Sequence, residues 1–251
     1  MISVVIATFK RPKKLSRLLF SIINQKVLPN EIIIIDDCSD MDLEYKRIIN
    51  DGRKIYKNIR YFKNMKNLGA PKSRNIGILK SSSEWIALTD DDDIWLPNKL
   101  ELQKKQLSFL SEKVGIILSW AYIEKQNKRK FYNFQPKQYN PIKNILESNF
   151  ITSPTPLVRK DAFIKAGLFD EKLISCQDWD MWVRIFLLKY DYIIIKEPLV
   201  VYFADNSDSI GQSKMAKIGY RQFIVKHFLL ILTKTNPFNW FKKLITFIRT
   251  L

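Results

Sequence analysis

The sequence predicts an α/β domain built on a mostly parallel sheet, and three observations point there. Short β-branched runs recur through the first ninety or so residues, at Val4 to Ala7, Glu31 to Asp36, Ile59 to Phe62 and Trp85 to Thr89. The segments between them read as amphipathic helices, and a strand–helix–strand alternation implies right-handed crossovers between parallel strands. Three of the runs end in polar residues, where a parallel sheet places its ligands, beyond the carboxyl ends of the strands.

In chain order, the helices are expected around Leu15 to Asn24, Leu43 to Asn50 and Lys72 to Lys80. The strand ends carry Thr8-Phe9-Lys10-Arg11, Asp36-Asp37-Cys38-Ser39-Asp40 and Asp90-Asp91-Asp92-Asp93, which are expected to share one crevice. Pro97 suits the first turn of a helix reaching Leu110, and Gly115 to Ile123 reads as a buried strand. Residues 124–156 lack periodicity and are rich in Lys, Asn, Gln, Tyr and Pro, so a long loop region over an acceptor site is expected. Asp161 to Ala166 and Asp178 to Leu188 read as helices, Tyr192 to Ile195 and Leu199 to Phe203 as strands. Two basic amphipathic helices, about Ser213 to Leu232 and Asn239 to Thr250, flank Pro237.

A chain of 251 residues with 46% hydrophobic content can bury one large core. Cys38, Cys176 and the single histidine, His227, are too scattered for a structural zinc site. The opening run Met1-Ile2-Ser3-Val4-Val5-Ile6 has no basic region ahead of it, and no apolar run approaches the roughly 18 residues of a bilayer span. A cytosolic location with free thiols is therefore expected, any membrane contact being peripheral. The formal charge of +17 favours a polyanionic partner (nucleic acid, anionic lipid or a phosphorylated substrate), or reflects a lysine- and isoleucine-rich composition.

Three clusters carry chemistry. Four consecutive aspartates after an apolar strand repel one another unless a cation neutralises them. With only oxygen ligands at hand that cation would be Mg²⁺ or Mn²⁺, holding open positions for phosphate. The competing reading is a solvated turn at the positive end of the next helix. Asn67-Leu68-Gly69-Ala70-Pro71-Lys72-Ser73-Arg74-Asn75 joins a glycine turn to a basic helix start, suited to a diphosphate or simply to solvent. In Ser175-Cys176-Gln177-Asp178-Trp179-Asp180-Met181-Trp182, aromatic neighbours would raise a carboxylate's pKa toward that of a general base; alternatively Asp178 only caps a helix and Trp182 only packs. His227 lies on the basic C-terminal helix, so no Ser/His/Asp triad is available and any base must be a carboxylate.

Taken in order, Ser3 to Phe9, Ile35-Asp36-Asp37-Cys38-Ser39, Asn67-Leu68-Gly69 with Arg74-Asn75, Asp90 to Asp93 before Ile94-Trp95-Leu96-Pro97, and Gln177-Asp178-Trp179-Asp180 resemble the motifs of family 2 glycosyltransferases. The resemblance covers roughly residues 1–205 and implies a GT-A fold, a Rossmann-like nucleotide-sugar-binding α/β domain. It further implies a catalytic domain over 1–210, with halves 1–123 for the nucleotide sugar and 124–210 for the acceptor, followed by a helical tail, 211–251. The implied reaction is a single displacement on an α-linked nucleotide sugar, giving a β-glycoside. Thr8 and Asp37 would line the nucleoside site, with Lys72 and Arg74 near the diphosphate. Asp90 and Asp92 match the outer positions of the DXD motif. Asp92 would ligate Mn²⁺ or Mg²⁺ and Asp90 would face the ribose or metal-bound water, with Asp91 also on the donor side and Asp91 or Asp93 as substitute ligands. Asp178 matches the catalytic base, Asp180 and Trp182 would shape the acceptor side, and Gln177 departs from the glutamate common at its position.

The tail mixes Phe223, Phe228, Leu229, Leu232, Phe238, Trp240, Phe241, Leu244, Ile245, Phe247 and Ile248 with lysines, as an interfacial anchor on anionic lipid does. The same stripe would equally pack on the catalytic domain or a second subunit. An anchor makes a lipid-linked acceptor the expectation: a sugar such as N-acetylglucosamine on undecaprenyl diphosphate, with UDP-glucose or UDP-galactose as donor, in O-antigen or capsule assembly at the inner face of a bacterial plasma membrane. A non-catalytic basic module for nucleic acid or membrane is the rival, but clustered aspartates disfavour nucleic acid.

Overall fold

The computed structural model describes residues 1–126, 128–136, 139–203 and 214–249. Its centre is a nine-stranded sheet. Strands β1 (Ile2–Thr8), β2 (Glu31–Asp36), β3 (Ile59–Lys63) and β4 (Trp85–Asp90) are parallel, in spatial order β3-β2-β1-β4. Beyond β4 follow β8 (Leu157–Arg159), β6 (Val114–Lys125), β9 (Asp191–Phe203) and the two-residue β5 (Ile94–Trp95), with β7 (Lys128–Tyr132) paired to β6. β8 runs antiparallel to both β4 and β6, whereas β6 and β9 are parallel.

Apolar residues alternate between the two faces. Val4, Ile6, Ile32 and Ile34 point to one core with Leu15, Leu18, Leu19 and Ile22 of α1 (Pro12–Ile23) and Tyr45 and Ile49 of α2 (Asp42–Ile55). Val5, Ile33 and Ile35 point to the other with Ile78 of α3 (Ala70–Lys80). A strand covered on both faces reads as one continuous apolar run, as Ile32 to Ile35 does. Each of those side chains contributes about 1.5–3 kcal/mol by leaving water.

The first four strands and three helices lie where the sequence places them, with ends moved by a few residues. The helix after Pro97 begins later, as α4 (Lys99–Gln106), and closes in a 3-10 turn, Leu107–Phe109. Two expectations are revised. Residues 124–156 are not all loop, since they contain β7 and α5 (Pro141–Glu147). β7 is Lys-Arg-Lys-Phe-Tyr with no buried residue, so it has no apolar alternation to announce it, while α5 is marked by its Asn140 cap, whose side chain accepts from Lys143 N. The two late strands are one, β9, interrupted where Ser119 pairs Ile195 but Trp120 pairs Pro198. The extra Lys196 and Glu197 form the irregularity that accommodates a proline lacking an N–H.

After α6 (Lys160–Lys165) and α7 (Gln177–Leu187), the tail comprises α8 (Lys214–Lys226), α9 (Phe228–Lys234) and α10 (Pro237–Arg249). The expected helix ends at Ser213 and Thr250, and the expected boundary at 210/211, lie outside the described residues. α8 and α9 pack on the domain through buried Phe223, Ile224 and Ile231, and Phe223 stacks on Trp179 at 4.2 Å. A Cβ on Gly219 would collide with the backbone and hydroxyl of Ser175, so only glycine lets α8 approach that closely. α10 instead leaves Phe238, Phe241 and Ile248 exposed. Among the described residues no helix is long and apolar enough to cross a membrane.

Asp180 fastens the tail. Its carboxylate, fully buried, accepts from Arg184 Nε at 2.9 Å and His227 Nε2 at 2.8 Å, and pairs with Lys226 at 2.8 Å. Burial raises its pKa, but hydrogen bonds from His227 and Lys226 with the Arg184 charge prevail and bring it to about 2. A depressed carboxylate contributes stability that is complete above its unfolded pKa of about 3.9 and is lost as pH falls toward 2, here about 2–3 kcal/mol. Asp180→Asn is therefore expected to lower the urea midpoint at pH 7, and its deficit to shrink between about pH 4 and 2, followed by tryptophan fluorescence.

Candidate active site

The acidic loop follows β4, beside the end of the neighbouring parallel strand β1. Arg74 Nη2 of α3 pairs with Asp90 Oδ1 at 2.5 Å, and Ser153 donates to Asp90 Oδ2 at 3.3 Å. Asp91 turns inward, accepting from Thr8 Oγ1 at 2.8 Å and Arg11 Nη1 at 3.3 Å. Asp92 faces the opening, with Arg11 at 3.3 Å and Lys14 at 3.8 Å. Asp93 folds back onto Thr89 and the Asp90 amide, and its buried Oδ1 has no partner among the described residues. Behind the loop Lys99 is fully buried, 4.2 Å from the Trp95 ring, and burial lowers its pKa to about 7.

Burial works against the charged form of this loop even with Arg11, Lys14 and Arg74 beside it. Burial raises Asp91 to about 6 and lifts Asp92 and Asp93 as well, with like charge from Asp90 adding to both. Among the described residues no three His, Cys, Asp or Glu side chains converge as a closed ion cage. Asp90 and Asp92 are the accessible pair, and two carboxylates completed by substrate phosphates and water suit Mg²⁺ or Mn²⁺. The orphaned Asp93 oxygen and the raised carboxyls fit such a group.

Asp37 organises the neighbouring loop. Its Oδ1 accepts from Leu68 N at 2.8 Å and Asn64 Nδ2 at 2.9 Å, and its Oδ2 from Gly69 N at 2.8 Å. Of roughly four lone-pair positions on a carboxylate, one remains for a ligand. Gly69, at φ 84°, takes a backbone conformation that suits glycine and starts α3 beside it. Lys72, half exposed, pairs with Glu171 at 2.9 Å.

Asp178 enters the crevice from the first turn of α7. Asn149 Nδ2 donates to its Oδ2 at 3.2 Å and Trp179 N to its Oδ1 at 2.7 Å. Burial raises its pKa, the Arg74 charge and the Asn149 bond oppose that, and Asp90 adds to the rise. Arg74 thus bears on both carboxylates at once. Three non-glycine residues of these loops, Lys10, Cys38 and Cys176, hold left-handed backbone, at φ 55°, 68° and 59°. Strain of this kind collects at functional sites.

The structure therefore brings Thr8, Asp37, Arg74, Asp90, Asp91, Asp92 and Asp178 to one end of the sheet, with Lys72 on its rim. Trp182 and Asp180 are not there: Trp182, 1% exposed, packs in the core with Phe163, and Asp180 holds the tail. Both were expected on the acceptor side, but on α7 they fall on the faces turned to the core. Arg11 was expected at this crevice only as part of the strand-end group, and Lys14, Asn149 and Ser153 were not expected there. The basic residues after β1 carried a signal in their position, whereas Asn149 and Ser153 sit in an aperiodic stretch that carried none.

A mostly parallel α/β sheet whose strand ends gather a buried carboxylate after β2, an aspartate-rich loop after β4 and a half-buried aspartate at the start of α7 is the GT-A architecture of glycosyltransferases. The family model for glycosyl transferase family 2 matches residues 3–166, and the chain belongs to that family. Glycosyltransferase MJ1057 of Methanocaldococcus jannaschii is 32% identical over 90% of this chain and 78% of its own length. WcaA of Escherichia coli K12, named for colanic acid biosynthesis, is 26% identical over 90% of this chain and 81% of its own. Among solved structures, S. aureus TarS 1–349 in complex with UDP-GlcNAc superposes with a TM-score of 0.69 at 17% identity, over 89% of this chain and 65% of that one.

Proposed function

We propose that this glycosyltransferase transfers a hexose from a UDP-sugar, glucose or galactose, to a hydroxyl of a sugar carried on undecaprenyl diphosphate, with inversion to a β-glycoside. The observation that carries the reading is that one cation serves both sides: Arg74 pairs with Asp90 of the acidic loop at 2.5 Å and its charge also acts on Asp178. Asp178 takes the proton from the acceptor hydroxyl as its oxygen bonds to the anomeric carbon and the bond to the diphosphate oxygen breaks. Its raised pKa makes it a stronger base than an ordinary aspartate. Thr8 and Asp37 bound the nucleoside side, and Lys72 and Arg74 face the diphosphate. Asp92 and Asp90 would hold Mn²⁺ or Mg²⁺, which supplies positive charge for the departing diphosphate. The UDP-GlcNAc complex of TarS supports a UDP donor, and WcaA's name supports a place in polysaccharide assembly.

The acceptor reading is supported by α10. Phe238, Phe241, Leu244 and Ile248 are exposed beside Lys242, a pattern suited to the anionic inner face of a bacterial membrane. A thermal-shift panel of UDP, GDP, TDP and CMP, each with and without Mn²⁺, tests the donor and metal together. UDP with Mn²⁺ at about 100 times its Kd is expected to add about 2.7 kcal/mol, several degrees in a domain of this size. Asp92→Ala is expected to lose the metal-dependent part. No shift with any nucleotide would overturn the reading.

A further inference from the structure

Two consecutive residues of α7 reach across to α5 and its end. Asn149 Nδ2 donates to Asp178 Oδ2 at 3.2 Å, and Trp179 Nε1 donates to Ile145 O at 2.6 Å. Ile145 lies in the last turn of α5, whose carbonyls have no partner within the helix, so the indole N–H fills an acceptor that the helix leaves open. Asn149 stands one turn further along the chain. Its side chain is held at both ends, Oδ1 accepting from Ile151 N at 3.4 Å while Nδ2 points to Asp178, and the two residues after it, Phe150 and Ile151, are buried. The other bond to Asp178, from Trp179 N to Oδ1 at 2.7 Å, is internal to the first turn of α7. Among the described residues Asn149 is thus the hydrogen-bond donor that sets this carboxyl from outside its own helix.

Trp179 is itself held by the tail. Phe223 of α8, fully buried, stacks on its ring at 4.2 Å, and Lys243 of α10, buried as well, places Nζ 4.6 Å from the ring centroid. A cation over an indole holds more firmly once both are withdrawn from water. The indole therefore joins α5 through its N–H and α8 and α10 through its ring. One hydrogen bond between two helices leaves a pivot. Two, from adjacent residues of α7 to positions a turn apart on the other chain segment, make a bracket, with Trp179 as one arm and the Asp178–Asn149 pair as the other.

We propose that Trp179 is a positioning residue for Asp178: its indole N–H fixes the end of α5, and with it the place from which Asn149 donates to the carboxyl, while α8 and α10 hold the ring. The C-terminal helices thereby bear on the site through one side chain. The proposal rests on the transferase reading only for the role of Asp178 as base; the bracket stands apart from it. Its sign is fixed by the charge. The Asn149 bond favours the ionised carboxylate, so loosening it moves the Asp178 pKa upward, the direction in which burial already drives it.

The test is carboxyl-carbon NMR of the full chain with labelled aspartate, titrated with pH; the Asp178 signal is the one missing from Asp178→Asn. Asn149→Ala is expected to move that titration upward by about half a pH unit or more, the worth of one hydrogen bond to a charged group. Trp179→Phe keeps a ring against Phe223 and removes the donor, and is expected to move it in the same direction. The double variant should move it no further than Asn149→Ala alone, as for groups that act through one contact. Arg74 and Asp90, the charges that act on Asp178, stay in place in every variant. Dispersion of the remaining aspartate signals shows that a variant is folded, and Trp179→Met, with neither ring nor donor, serves if the phenylalanine variant is not. A titration unmoved or lowered in the Trp179 variants, or shifts that add in full in the double variant, would overturn the positioning role. A wild type that binds no nucleotide would bring down the transferase reading instead, and the titration would still decide the role of Trp179.

Discussion

Asp178→Asn is expected to abolish transfer while leaving UDP binding within about twofold of wild type. An amide cannot take the acceptor's proton, and a positioned base contributes roughly 10²–10⁴-fold to rate, so a fall of about 10³-fold in kcat is the central expectation. The substitution nearly preserves volume and keeps an oxygen to accept from Trp179 N, so the first turn of α7 should survive. The pH profile makes the role specific. A base works only when deprotonated, and burial sets this carboxyl above the usual range. The wild-type rate is therefore expected to rise with pH along an acid limb lying above the ordinary aspartate value of about 3.9, and the residual activity of the variant to lack that limb. Product formation from UDP-glucose or UDP-galactose, followed by released UDP, reads both. Turnover equal to wild type would remove Asp178 from the mechanism.

Arg74→Met is expected to have the second-largest effect, on stability and catalysis together. Arg74 is the cation between Asp90 and Asp178, its side chain 14% exposed, and methionine keeps length without charge. Breaking one side of a buried pair costs about 3–5 kcal/mol because the remaining charge is stranded. Asp90 is a third exposed, which places the expectation at the low end, about 3 kcal/mol by urea denaturation. The sign for catalysis follows from the charges. Arg74 holds the Asp178 carboxyl down against burial, so its removal should raise that pKa further and move the acid limb of the rate profile to higher pH. A variant that loses stability without moving the limb would show Arg74 to be structural only.

Chain order and periodicity settle much of this molecule locally. Ile32 to Ile35 had to be a strand covered on both faces, because a continuous β-branched run has no solvent side. Asp90 to Asp93 had to need positive charge, because neighbouring carboxylates repel wherever the fold puts them. The motifs in sequence were sufficient for the family. They were also sufficient to name Thr8, Asp37, Arg74, Asp90, Asp92 and Asp178 as residues the folded chain brings to one end of the sheet.

Tertiary structure decided what depends on which side of an element a residue faces and on partners far along the chain. Asp178 and Asp180 are two positions apart, yet on a helix that separation turns them about 200° from each other. One meets the crevice and Asn149, the other the core with Arg184, Lys226 and His227. The four aspartates look equivalent in sequence, but Thr8 and Arg11 draw Asp91 inward and Thr89 draws Asp93, leaving Asp90 and Asp92 outward. β7 and Asn149 gave no periodic signal because neither buries an alternating face. The joining of α5 to the turn at Asn236, some ninety residues on, is a long-range packing event that no local pattern encodes.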